Sequence, residues 1–167
     1  QYLREMYNLQ YHILFDIHKL SGNITNIISA ENFYINNLLD SKKGSPLILG
    51  LIYISISQRL GIPVYGVDLP RHFVLAYTDE VTSSPKDIPV GNVLFYINPF
   101  NKGAVFTRNE IDLFIKQMKL ERKESYFTPC DNKTIIRRMI NELVYVYDQS
   151  GNPGKKDEIS ELLAVID

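Results

Sequence analysis

The stretch DSKKGSPLILGLIYISISQRLGIPVYGVDLPRHFVLAY, residues 40–77, decides the fold of this chain. Its middle is an aliphatic run with both ends marked. Ser45 supplies a side-chain oxygen for a helix N-cap, and Pro46 suits the first helical position, where its missing N–H is no loss and its φ is already helical. At the other end Gly61 can take the left-handed conformation just past a helix, and Pro63 prevents continuation. Between them Leu47, Ile48, Leu49, Leu51, Ile52, Tyr53, Ile54, Ile56 and Leu60 cover nearly every side, so this helix is expected to be buried on most faces and central to the fold. Residues 64–69 and 72–78 then read as strands, β-branched and aromatic between Pro, Gly and Asp. The second of them opens on a histidine, His72, directly after Pro70 and Arg71.

Working outward, Leu3, Met6, Tyr7, Leu9, Ile13, Leu14 and Ile17 recur at helical spacing over residues 2–20, and Ser21-Gly22-Asn23 ends the pattern. Short helical segments are expected over 24–39, with Phe33, Tyr34, Leu38 and Leu39 as their apolar face. Residues 93–97 read as a third strand, joined to the second by a polar, proline-containing loop over 79–92. Thr107 with Glu110 three residues on is a capping-box pattern that opens a helix to about Met118. Two more helices, 133–147 and 155–166, are separated by the turn QSGNPG and form a hairpin. Helices, then a small antiparallel sheet of three or slightly more strands, then helices again make the chain α+β. The charged change of composition over 119–128 marks the best boundary, giving a core domain of residues 1–125 and a docked helical hairpin of 126–167.

Composition narrows the function classes. The 167 residues carry 18 Lys and Arg against 19 Asp and Glu, a net charge of -1, so no global field draws in nucleic acid or an anionic membrane. The cationic group Lys116, Lys119, Arg122, Lys123, Lys133, Arg137 and Arg138 is balanced by Glu121 and Glu124 and reads as a solvated face. The run 46–56 is too short to span a bilayer, so no membrane association is expected. One cysteine, Cys130, excludes an intramolecular disulfide framework and a cysteine-rich zinc site, and fits a reducing, cytoplasmic setting. Gln1 is not Met and no basic-then-apolar leader follows, so the start reads as trimmed and uninformative about targeting.

The order of parts resembles the transglutaminase-like superfamily with its papain-like fold, and within it the SirB1 type, which carries tetratricopeptide-like helices at its C-terminus. The resemblance rests on LFDIHKLSGN (14–23), NNLLDSKKGSPLILGLIYISISQRLGIPVYGV (36–67), PRHFVLAY (70–77), INPFNKG (97–103) and IIRRMINELVYVY (135–147). It implies that a cysteine would begin the central helix, a histidine would lie on the next strand but one, and an aspartate on its neighbour, as nucleophile, base and orienting group. Counted back from the GIP turn, the cysteine position is Pro46, the histidine position His72, and the aspartate position Asn98, where INPF stands for IDPF. Arg71 stands where such proteins tend to have glycine. A missing thiol is what the SirB1 type implies in general, so the resemblance points away from thiol chemistry and toward an inherited cleft.

The resulting expectation is a catalytically degenerate protein, a pseudoenzyme, whose cleft residues Arg71, His72, Tyr65, Tyr96 and Asn98 bind a protein or peptide, with no cofactor and no metal. Against it stands a cysteine-independent hydrolase or amidase that uses His72 with Ser45 or an activated water. Ser45 lies one position off the matched site, and an N-cap serine already spends its oxygen on a helix N–H. The plainest reading of His72 itself is a half-buried strand histidine bonded to Asn98 or to backbone. His12 and His18 belong to the edge of the first helix, Cys130 lies in a turn outside the matched elements, and the eleven tyrosines are mostly packing.

Overall fold

The computed structural model describes residues 2–167, apart from the side chain of Leu3, so that part of the apolar stripe lies outside the described residues. Helix α1 (Tyr2–Tyr11) continues into one π-helical segment, His12–Ile17, rather than running regularly to residue 20. Its wide turns close with His18 N–H donating to the Ile13 carbonyl at 3.0 Å. The Ser-Gly-Asn stop is real but hides a strand: β1 (Ser21–Gly22) pairs in parallel with β2 (Lys43–Gly44). Two residues per strand carry no periodicity, so no sequence pattern reveals such a pairing.

Between them, residues 24–29 are loop rather than helix, followed by a 3-10 turn (Ala30–Phe33) and α2 (Ile35–Ser41). The expected apolar face is half right. Phe33 and Leu38 are buried, whereas Tyr34 and Leu39 are exposed.

The central helix α3 (Pro46–Arg59) has the expected ends: Ser45 as N-cap, Pro46 at the first position, and Gly61 at φ +67° after Leu60. Leu47, Ile48, Leu49, Tyr53 and Ile54 are buried, while Leu60, counted with them from the sequence, is exposed at the C-terminal end of the helix. A four-stranded antiparallel sheet lies against it, in the order β3 (Val64–Leu69), β4 (His72–Thr78), β5 (Val93–Asn98), β6 (Ala104–Phe106). The three-residue β6 was not separately resolved in the sequence. Val64, Phe73, Leu75, Tyr77 and Ile97 face α3 and form the main core. Val67, Leu69, Val74, Ala76 and Tyr96 face the other way, onto α4 (Arg108–Gln117), and build a second core with Ile111, Ile115 and Phe127. Period-2 alternation thus explains why β4 is apolar on both faces: each has its own helix.

At α4 the Glu110 carboxylate accepts the Thr107 N–H at 2.7 Å, as the capping box requires. Helices α5 (Asn132–Gln149) and α6 (Pro153–Ile166) form the C-terminal hairpin. Ile135 and Val146 of α5 join the main core, whereas α6 buries no residue fully. Arg138 fastens α5 to the sheet. Its guanidinium donates to Asp68 Oδ1 and the Leu69 carbonyl at 2.7 Å each and to Glu142 at 2.7 Å, and it lies 5.7 Å from the centre of the Phe73 ring. A polar residue performs the matching task at the N-terminus: buried Gln10 donates to the Tyr53 carbonyl at 2.9 Å and to Ser57 Oγ at 2.8 Å. Among the described residues no helix is long and apolar enough to cross a membrane.

Candidate functional site

Three segments meet at the start of α3. The first is the helix start itself. Ser45 Oγ accepts the Ile48 N–H at 3.2 Å and the Ser45 N–H donates to the Asn32 carbonyl at 2.9 Å, so this serine is held by the cap. The second is the loop 23–32. Asn23 donates to Asn32 Oδ1 at 2.8 Å, and Asn32 Nδ2 donates to the Asn26 carbonyl at 2.6 Å. Asn32 is buried, so this amide pair is an internal frame that fixes the loop beside the helix. Sequence reasoning missed both asparagines, because in a polar loop nothing distinguishes an amide that turns inward.

The third segment is the β3–β4 hairpin. Leu69 pairs with His72, so the connection is the two residues Pro70 and Arg71, and Arg71 takes φ +64°. Proline at the first central position followed by a left-handed residue fits a type II turn, whose second place favours glycine. His72 therefore sits at the tip of the hairpin. By alternation its side chain shares a face with Val74 and Ala76, the α4 face, and its ring meets Phe114 edge-on at 5.0 Å. Phe73, not His72, occupies the position facing α3.

Two cavities share His72. One, of about 400 Å³, joins Ser45 and Pro46 to Arg71 and His72 over a floor of Phe33, Phe100 and Val146, with Asn23, Asn32, Ile27, Glu142 and Tyr145 around it. The other, of about 310 Å³, runs from His72 past Asn98 and Asn101 to β6, Ile111 and Phe114. All three matched triad positions thus border these cavities, but no hydrogen bond joins them. Asn98 Oδ1 accepts the N–H groups of Phe100 and Asn101 at 3.1 and 3.2 Å, a side-chain turn that bends the chain from β5 toward β6. It holds the loop rather than the imidazole.

Tyr65 and Tyr96 are placed elsewhere, which corrects their assignment to the cleft. Both lie opposite Ala76, on the same sheet face as His72 but four residues up the strand, about 13 Å away at strand rise. Tyr65 hydroxyl accepts the Thr82 N–H at 2.7 Å beside a separate cavity of about 690 Å³. Tyr96 hydroxyl donates to the buried Phe127 carbonyl at 2.6 Å, and burial pushes its pKa up to about 12. The error is one of length: strand order puts residues on neighbouring strands without saying how far along they stand.

Two guanidinium groups at the hairpin tip act on His72. Burial first, then the guanidinium of Arg138, then that of Arg71 hold the His72 pKa below the ordinary imidazole value, so at neutral pH the ring is uncharged. Arg138 is neutralised by Asp68 and Glu142, whereas Arg71 has no ion pair among the described residues. Cys130 is remote, its N–H donating to the Gly66 carbonyl at 2.8 Å, and burial raises its thiol pKa to about 12, the opposite of an activated nucleophile. His12 is exposed beside Asp16 at 3.0 Å. Among the described residues no three His, Cys, Asp or Glu side chains are grouped to hold a metal ion.

Known proteins are similar to this chain over much of its length. The chain is 26% identical over 140 residues to mouse F-box only protein 21 and 27% identical over 140 residues to the human protein of that name, covering 84% of this chain and 21% of each relative. It is 27% identical over 133 residues to a UPF0162 protein of Xylella fastidiosa, covering 76% of this chain and 43% of the relative. The chain therefore spans about a fifth of the former and under half of the latter. No solved structure matches it. The family description "Transglutaminase-like superfamily" matches residues 3–141, and with the α+β core in place, this chain belongs to the transglutaminase-like superfamily.

Proposed function

We propose that the chain is a catalytically degenerate transglutaminase-like domain that binds a protein or peptide in the cleft between Ser45–Pro46 and Arg71–His72. One observation carries this reading. The helix start that faces the cleft offers proline where a nucleophile would stand, and the adjacent Ser45 hydroxyl is engaged on the Ile48 N–H. A cleft of about 400 Å³ with an aromatic and aliphatic floor persists nonetheless, the form of site that holds an apolar side chain. Occurrence of the domain in relatives as different in length as F-box only protein 21 and the UPF0162 proteins supports a module reused in longer chains. We extend the same proposal to a SirB1-type relationship, to a tetratricopeptide-like reading of α5–α6 as a hairpin docked on a core of 1–125, and to a cytoplasmic setting for the free Cys130.

The competing reading is a hydrolase or amidase that uses His72 with Ser45 or water. Its support is that Ser45 and His72 border one cavity. Against it, their side chains share no hydrogen bond, and Asn98 does not orient the ring. Incubation with amide and ester substrates decides between the two: no turnover is expected, and turnover that disappears in His72→Ala overturns the binding proposal.

A further inference from the structure

The chemistry of the cleft wall narrows the segment that would fill it. Phe33, Phe100 and Val146 form an apolar floor, and Ile27 and Tyr145 stand at its rim with 68% and 57% of their surface exposed. A large apolar side chain on a ligand removes this surface from water. The charged groups beside it are unequal. Glu142 is already bound by Arg138 at 2.7 Å, so the wall offers no free carboxylate to a basic ligand. Arg71 has no ion pair among the described residues and is held at the cavity by a two-residue turn. The neutral His72 ring next to it can donate one hydrogen bond without adding a second charge.

Resting on the peptide-binding reading, we propose that the cleft takes an extended segment of a partner protein in which a large apolar side chain is followed by Asp or Glu. The apolar group lies on Phe33, Phe100 and Val146, and the carboxylate pairs with the Arg71 guanidinium. A lysine or arginine at the second place meets Arg71 instead, with Glu142 occupied, and is repelled.

Four six-residue peptides, acetylated and amidated so that their termini carry no charge, test this, with Leu-Glu, Leu-Gln, Leu-Lys or Ser-Glu at the centre. Each is titrated into the full chain while the His72 ring signals are followed by NMR. The Leu-Glu peptide is expected to shift those signals and to bind at least about tenfold more tightly than the other three, with an advantage that shrinks as salt rises. Arg71→Gly is expected to erase the preference for Glu over Gln. Glycine suits φ +64°, so this variant stays folded and the loss is not one of structure. Equal binding of the Leu-Gln or Leu-Lys peptide at His72, or a Glu preference that survives Arg71→Gly, overturns the acidic specificity and leaves the binding reading standing. Silence of the His72 signals with all four peptides overturns both.

Discussion

Arg71 holds φ at +64° in a place where a glycine would pay nothing for it. A residue with a Cβ is strained there, so Arg71→Gly should raise stability by about 0.5–1 kcal/mol even while it removes the charge from the cleft, read as a higher denaturant midpoint. His72 carries a second residue-scale consequence. Its pKa is lowered in the folded state by burial, Arg138 and Arg71, so the unfolded chain binds the proton more readily. Stability from this group is therefore complete above the unfolded imidazole value of about 6.5 and is lost as the pH falls toward the folded pKa. Thermal midpoints of the wild type should drop over that acid window more steeply than those of His72→Gln. Parallel curves would remove His72 from the account. The charge of Arg71 beside His72 is legible in the sequence, but the contribution of Arg138 is not, since it lies 66 positions away and meets the hairpin only through the docking of α5.

At the scale of elements, the α3 helix is the clearest case of local instruction. Its cap, its first proline and its terminal glycine act within a turn of where they stand, and each is where the sequence puts it. Ser45→Ala should cost about 1 kcal/mol through loss of the bond to the Ile48 N–H, measured by chemical denaturation. Gly50 is different. A glycine inside a helix looks like a defect, and alanine would gain up to about 1 kcal/mol of helix propensity. A Cβ there would lie 2.6 Å from the Phe73 ring, however, so α3 approaches β4 too closely to admit it. Gly50→Ala should therefore destabilise the fold by about 1 kcal/mol net after overpacking of the core, read as a lower melting temperature. An unchanged or higher midpoint would show that Phe73 can move aside. The 24–29 loop and β1–β2 were unreadable for the opposite reason. They are stabilised by Asn23, Asn32 and a parallel pair brought from 22 positions apart, not by any local period.

For the whole molecule, Arg138 is the fastening between the hairpin and the sheet, with Asp68, the Leu69 carbonyl and Glu142 on one side and the Phe73 ring below. Removing it in Arg138→Ala should cost about 2 kcal/mol, less than the roughly 3–5 kcal/mol of a fully buried broken pair, because Asp68 and Glu142 keep some contact with water. Two readouts separate docking from general damage. Amide exchange should quicken in α5 and α6 before it does in α3, and the His72 pKa should rise toward its ordinary value as the neighbouring charge disappears. Uniform exchange throughout would mean that the hairpin and core open as one unit.

What the sequence determined by itself is whatever short-range chemistry writes: the ends of α3, the β-branched and aromatic runs of β3, β4 and β5, the capping of α4, the two C-terminal helices, and the presence of Pro46 where the superfamily resemblance expects a thiol. The tertiary structure alone decided how far apart matched residues stand. It put Tyr65 and Tyr96 four strand positions from His72, turned Asn98 onto its own loop, and set Arg71 beside an apolar floor built from three distant segments. The physical reason is range. Caps, turns and periodicity act over a few bonds of chain, whereas a cleft is made by side chains whose neighbours are fixed only when the helices close on the sheet.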